Sequence, residues 1–188
     1  MKAGLGVDGE YIYEQEKHLT VLKTSLFFAN DGFIVYDCKG QLLFRVDSYG
    51  PLPRDNGQLV LMDAHGKCLL TLRKKKPIFS VKRSSIIGRC GMIVEMLNNP
   101  GEEYQIEGNF GQRSCKILNA RKESMAEIKR KVDASRKVVL GKDVFLLSLK
   151  PGFDGAFAMG LVIVIDQIHG DDYVQNYYEA EAFPTTHR

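Results

Sequence analysis

The chain has 188 residues, 44% of them hydrophobic and 26% charged, with a formal net charge of +3. That balance excludes a disordered or low-complexity chain and allows one domain with a substantial core. Four widely spaced cysteines (Cys38, Cys68, Cys90 and Cys115) favour reduced, mostly buried thiols over a disulfide framework, and with them an intracellular compartment.

In chain order, residues 1–17 read as a flexible leader, with Gly4, Gly6 and Gly9 among polar residues and no sustained period. No basic-then-apolar signal segment opens it. Leu19–Lys23 begins a strand-rich pattern. Ser25–Phe28, the Asp31-Gly32 break and Phe33–Tyr36 read as a hairpin. The turn Asp37-Cys38-Lys39-Gly40 leads into Leu42–Val46, and the same unit recurs as Leu59–Met62, Asp63-Ala64-His65-Gly66 and Cys68–Arg73. A repeated meander points to a sheet that curls or closes. Between the two units, Tyr49–Gly57 is a loop by composition.

Strands are expected at Ile78–Arg83, Met92–Leu97, Tyr104–Phe110 and Ser114–Leu118, then at Val138–Leu140 and Asp143–Leu149. Ser124–Val132 fits both a helical and an alternating period; its neighbours favour a strand. Last comes Asp154–His169, in which the ten residues Ala156–Ile165 are all apolar or glycine. Asp154 suits an N-cap and Gly170 a C-terminal stop, so the segment reads as a helix about 24 Å long. A helix apolar on every side must be buried on every side. The run is short of the roughly 20 residues a membrane span requires. Its β-branched part, Val162–Ile165, leaves a buried strand as the alternative.

Several segments resemble the plant LURP-one-related family. They are Leu43–Val46 after its Asp-x-x-Gly turn, Val60–Arg73, Val81–Ser85, Gly108–Phe110, Arg113–Cys115, Gly141–Phe145, and Asp154–Phe157 with Leu161–Asp166. The resemblance covers residues 19–170. It implies a mainly β fold: a tubby-like closed barrel of about twelve strands around a buried hydrophobic C-terminal helix. The domain is then 18–170, followed by a polar tail, 171–188. One departure stands out. Family members carry a further strand-bearing segment where this chain runs almost directly from Lys76 into Ile78. The barrel is therefore expected to be short by a strand, with one seam open or bridged by a loop.

The resemblance implies no catalytic activity. It points to tubby-like membrane-tethered regulators, to phospholipid scramblases and to plant defence. Charge supplies the candidate surface. Residues 73–142 hold 17 Lys/Arg against 7 Asp/Glu, leaving acidic flanks. Arg73, Lys74, Lys75, Lys76, Lys82 and Arg83 form the first candidate for anionic lipid such as a phosphoinositide. Lys129, Arg130, Lys131, Arg136 and Lys137 form the second. Direct nucleic-acid binding is disfavoured, because few aromatics interleave with these cations. No nucleophile–base, phosphate-loop or metal-ligand motif is present, so neither an enzyme, a metal nor a cofactor is expected. Asp154 and Asp166 are expected to anchor the helix. The expected protein is a cytoplasmic or membrane-peripheral monomer, with the nucleus possible. The alternative is a protein-binding defence scaffold with an unknown protein partner and no lipid site.

Overall fold

Alternating burial builds the strands, and polar side chains at the turns fix their register. The computed structural model describes residues 10–24, 32–49, 58–72, 79–86, 89–96 and 101–170. In β1 (Lys17–Thr24), Leu19 and Val21 are fully buried and the residues between and beside them are not. β2 (Gly32–Tyr36), β3 (Leu42–Tyr49), β4 (Gln58–Asp63) and β5 (Cys68–Leu72) form the repeated meander expected from the sequence. Its two turns share one device. Asp37 Oδ1 accepts the N–H groups of Lys39 and Gln41 at 2.8 Å each, and Asp63 Oδ1 accepts those of His65 and Lys67 at 2.8 Å each. Gly40 and Gly66 then take the left-handed position, at φ 76° and 86°.

β6 (Phe79–Ile86), β7 (Arg89–Met96), β8 (Glu103–Asn109), β9 (Ser114–Asn119) and β10 (Ser124–Arg130) follow. The ambiguous segment from Ser124 is thus a strand, paired along β9. Its turn repeats the device with Asn119 as acceptor, but Lys122 occupies the left-handed position at φ 64°. Among the described residues β11 (Val132–Asp133) and β12 (Val138–Val139) pair only with each other. β13 (Val144–Leu149) returns to the main sheet between β1 and β10.

The eleven strands run in the order β5-β4-β3-β2-β1-β13-β10-β9-β8-β7-β6. All ten pairings are antiparallel, so the two edge strands point the same way. Closing such a sheet with antiparallel ladders would require one more strand, running opposite to both edges. Among the described residues no ladder joins β5 to β6. The expectation of a closed barrel of about twelve strands is therefore met only in its coarser form: one large antiparallel sheet and one helix.

The helix α1 (Gly155–Gly170) begins one residue later than expected, because Asp154 is its cap. Asp154 Oδ1 accepts Ala156 N–H at 2.7 Å and Phe157 N–H at 3.0 Å. Residues 156–163 are all buried. Both edges of the sheet reach α1: the Phe79 ring of β6 meets Phe157 edge-on at 5.9 Å, and Leu70 of β5 closes over Gly160. A Cβ on Gly160 would stand 2.6 Å from Leu70 Cδ2, so any larger residue there would have to displace the Leu70 side chain.

Residues 10–16, read from sequence as part of a loose leader, lie along the start of α1. The carbonyl of Tyr13 accepts Gly152 N–H at 2.9 Å, and that of Tyr11 accepts Gly155 N–H at 3.0 Å. Tyr11 also packs edge-on against Phe44 at 4.8 Å. Two aromatic anchors hold this segment, which its glycines and lack of period concealed. The cysteines depart from expectation as well: Cys115 is buried, but Cys38 and Cys68 are exposed.

Candidate functional site

The C-terminal end of α1 gathers buried charge. Asp166 is 5% exposed and faces two cations. Lys23 of β1 approaches Asp166 Oδ2 at 2.9 Å, and Arg113 approaches Oδ1 at 3.8 Å. Arg113 is itself buried and has a left-handed backbone, φ 53°, after the 3-10 turn Phe110–Gln112. Its guanidinium lies 4.2 Å from the centre of the Phe110 ring and 4.5 Å from that of Phe145. Its Nε donates to the carbonyl of Lys142 at 2.8 Å. Burial holds the Arg113 pKa below its ordinary value, and Asp166 opposes that shift. His169, in the last turn of α1, stacks on the Phe110 ring with centroids 5.7 Å apart. The arrangement ties α1 to β1, to the turn before β9 and to the residues entering β13.

Gly108 allows that turn its shape. Its φ is 115°, and a Cβ there would stand 2.2 Å from the carbonyl oxygen of Ser114. Beside it, on β8, β9 and β10, lies an open groove of about 530 Å³ lined by Glu107, Lys116, Glu127 and Lys129 among others. Its charges alternate in sign, and Lys129 already pairs with Glu127 at 2.7 Å. It offers no convergent set of groups for one charged ligand.

The β11–β12 hairpin leaves the sheet next to this end, between β10 and Lys142. Asp133 shapes its turn: its Oδ1 accepts Ser135 N–H at 2.8 Å, Ser135 Oγ–H at 2.7 Å and Arg136 N–H at 3.2 Å. These bonds hold the Asp133 carboxyl below the usual carboxylate range. Lys137 takes a left-handed φ of 54°. Arg136 and Lys137 are exposed at the turn, and Lys129 and Arg130 are exposed at the end of β10. Lys131 is more constrained, donating to Thr20 Oγ1 at 2.6 Å. Between residues 129 and 142 there are six Lys/Arg and a single Asp.

The second basic cluster thus falls on the end of β10 and on the hairpin that follows it, and Lys142, which the sequence reading left out, follows the hairpin in the chain. Of the first cluster, Arg73, Lys74, Lys75 and Lys76 lie outside the described residues. Lys82 is exposed on β6 and pairs with Glu95 at 2.7 Å. Arg83 stands opposite Met92 in the β6–β7 register. Among the described residues no group of three His, Cys, Asp or Glu could hold a metal ion, and no helix is long and apolar enough to cross a membrane. Lys23 and Arg113 were not singled out from sequence as partners of Asp166. A Lys within β1 and an Arg after Phe-Gly-Gln carry no local signal of a shared carboxylate.

A family model described as LURP-one-related matches residues 17–166. The Arabidopsis thaliana protein LURP-one-related 12 is 59% identical to this chain, the match covering 90% of this chain and 86% of that protein. LURP-one-related 5, from the same plant, is 58% identical, with 93% of this chain and 94% of that protein covered. That second alignment runs over 197 residues, so about twenty positions of the relative have no counterpart in this 188-residue chain. A crystal structure of an Arabidopsis thaliana protein shares the fold, with a TM-score of 0.63 and 20% identity, over 88% of this chain and 99% of that one.

Proposed function

The chain belongs to the LURP-one-related family, and from that premise we propose that it is a non-enzymatic module that docks on anionic membrane lipid. The observation that carries this reading is the cation-rich stretch 129–142, six Lys/Arg against one Asp on and around a hairpin outside the main sheet. Each Lys or Arg beside an anionic leaflet contributes about 1 kcal/mol. A few acting together suffice for salt-sensitive attachment, whereas one does not. Phosphoinositides suit the site through their dense negative charge. Arg73 to Lys76 remain candidates for a second contact. Kinship with tubby-like regulators and scramblases, a fully closed barrel, a place at the cytoplasmic face of a membrane and a role in plant defence belong to the same proposal. They rest on the resemblance of the chain.

A second reading has its own support. Among the described residues the edges β5 and β6 run the same way with no ladder between them, and an uncovered strand edge recruits an extended segment of another protein. A scaffold of that kind would bind a protein partner with no lipid site.

Sedimentation with neutral and phosphoinositide-containing vesicles across a salt series separates the two. The lipid reading expects binding only to the anionic vesicles, falling as salt rises. Binding indifferent to anionic lipid, from a protein shown to be folded, overturns it. Comparing Lys74→Ala/Lys75→Ala/Lys76→Ala with Arg136→Gln/Lys137→Gln then assigns the face.

A further inference from the structure

We propose that the β11–β12 hairpin is itself the element that enters the membrane interface. The Val132–Val139 face lies against the acyl boundary, and Arg136 and Lys137 sit among anionic headgroups. This rests on the anionic-membrane reading and names its contact surface.

Charge alone does not explain the hairpin's composition. Among the described residues the large hydrophobic side chains that stand exposed are Leu42, Val132, Val138 and Val139, so three of those four lie in this one element. They are 51%, 55% and 49% exposed in β11 and β12, whereas the core residues of the main sheet are buried. A two-pair hairpin gains almost nothing from its own packing. Solvated residues in its place would fold as well and cost less in water. Apolar residues held out beside cations are the pattern of an interfacial element, whose apolar part meets the acyl boundary while long basic side chains reach the headgroups.

The register selects the face. Val132 pairs with Val139, and Asp133 pairs with Val138. Paired residues share a side of the ladder, so the hairpin's one carboxylate stands on the Val138 side. Asp133 is tied to Ser135 and Arg136 in its ionised form, and it opposes an anionic surface there. The Val132–Val139 side carries no acid. Arg130 and Lys142 flank the hairpin at its base. The base is also fixed: Arg113 grips the Lys142 carbonyl at 2.8 Å, and the Asp143 carbonyl accepts Lys23 N–H at 2.7 Å. A projecting hairpin on a rigid base presents its face without ordering a long loop.

The chain contains no tryptophan, so a single substitution supplies a clean fluorescent reporter. Val139→Trp places it on the proposed face, and Leu42→Trp places it on β3, several strands away. The full chain is mixed with vesicles of phosphatidylcholine alone, or with phosphatidylserine and a phosphoinositide added, with brominated lipid as the quencher. The expected result is a blue shift and quenching of the indole in Val139→Trp in anionic vesicles only, and neither in Leu42→Trp. Val132→Thr/Val139→Thr keeps shape and charge and is expected to weaken vesicle binding about tenfold. Binding that leaves the Val139→Trp fluorescence unshifted and unquenched overturns the inference while the membrane reading stands. If the folded chain binds no vesicle even at low salt, both fall. If it is captured by RNA instead, the cations are reassigned and both fall.

Discussion

Two groups of cations lie near the same end of the molecule and are handled in opposite ways. Lys23 and Arg113 converge on Asp166, a carboxylate buried to 5% exposure, with two aromatic rings around the guanidinium. Arg136 and Lys137 stand in solvent at the turn of a two-strand ladder among exposed valines. The first group has its counter-charge within the fold and is mostly withdrawn from solvent, Arg113 buried and Lys23 partly so. The second is supplied with none of comparable quality. Cations spent on holding a helix and cations left for an outside partner are thus told apart by burial and pairing. Position in the sequence does not separate them.

The contrast is broken most severely at Asp166. Asp166→Ala leaves Arg113 as a buried charge without its carboxylate and is expected to cost about 3–5 kcal/mol in denaturant unfolding. Arg136→Gln/Lys137→Gln, tested the same way, is expected to stay within about 0.5 kcal/mol of the parent. Equal effects from the two changes would erase the distinction.

At the other end of the helix, Asp154→Ala removes the cap and is expected to cost about 1 kcal/mol or somewhat more. Asp154→Asn keeps the acceptor and separates cap from charge. Burial raises the Asp154 pKa, and the bonds from Phe157 and Ala156 offset only part of that. A carboxyl whose folded pKa is raised favours folding while protonated. Its contribution is fully present below the unfolded pKa and is lost as pH rises through the folded one. The stability of Asp154→Asn relative to the parent is therefore expected to grow as pH rises out of the acidic range, measured by urea melts at several pH values.

Smaller effects sharpen the same picture. The Tyr13 hydroxyl is buried with no hydrogen-bond partner, and burial, followed by Asp154, pushes its pKa up to about 12. Tyr13→Phe is expected to stabilise the fold by about 1 kcal/mol in thermal or denaturant unfolding. Because the folded pKa exceeds the unfolded value of 10.0, the parent is also expected to lose stability between those two pH values, and the Phe variant to lose less of it. Lys122→Gly, which gives the Asn119 turn the glycine its sister turns have at Gly40 and Gly66, is expected to add about 0.5–1 kcal/mol.

Much of the framework was legible in the residues. The Asp-x-x-Gly turns announced the meander because an aspartate acceptor and a glycine at φ > 0 are local requirements. The helix was legible because an all-apolar run with a capping aspartate has few other uses. The shortened run from Lys76 to Ile78 pointed to one strand fewer, but the parity of the sheet was not legible, since it depends on counting every pairing. The site was legible in outline only. Charge runs marked Lys129–Lys131 and Arg136–Lys137, but the partners of Asp166 come from elements far apart in sequence. Exposed valines in a strand-forming stretch read like core valines until their solvent exposure is known.

The most direct test of the account is the affinity for phosphoinositide-containing vesicles of the parent chain and of Arg136→Gln/Lys137→Gln, both at one moderate salt concentration. Two cations contributing about 1 kcal/mol each predict binding about thirtyfold weaker in the variant, with unfolding unchanged. Affinity unaltered by removing both charges would contradict the assignment of this hairpin as the membrane-facing element.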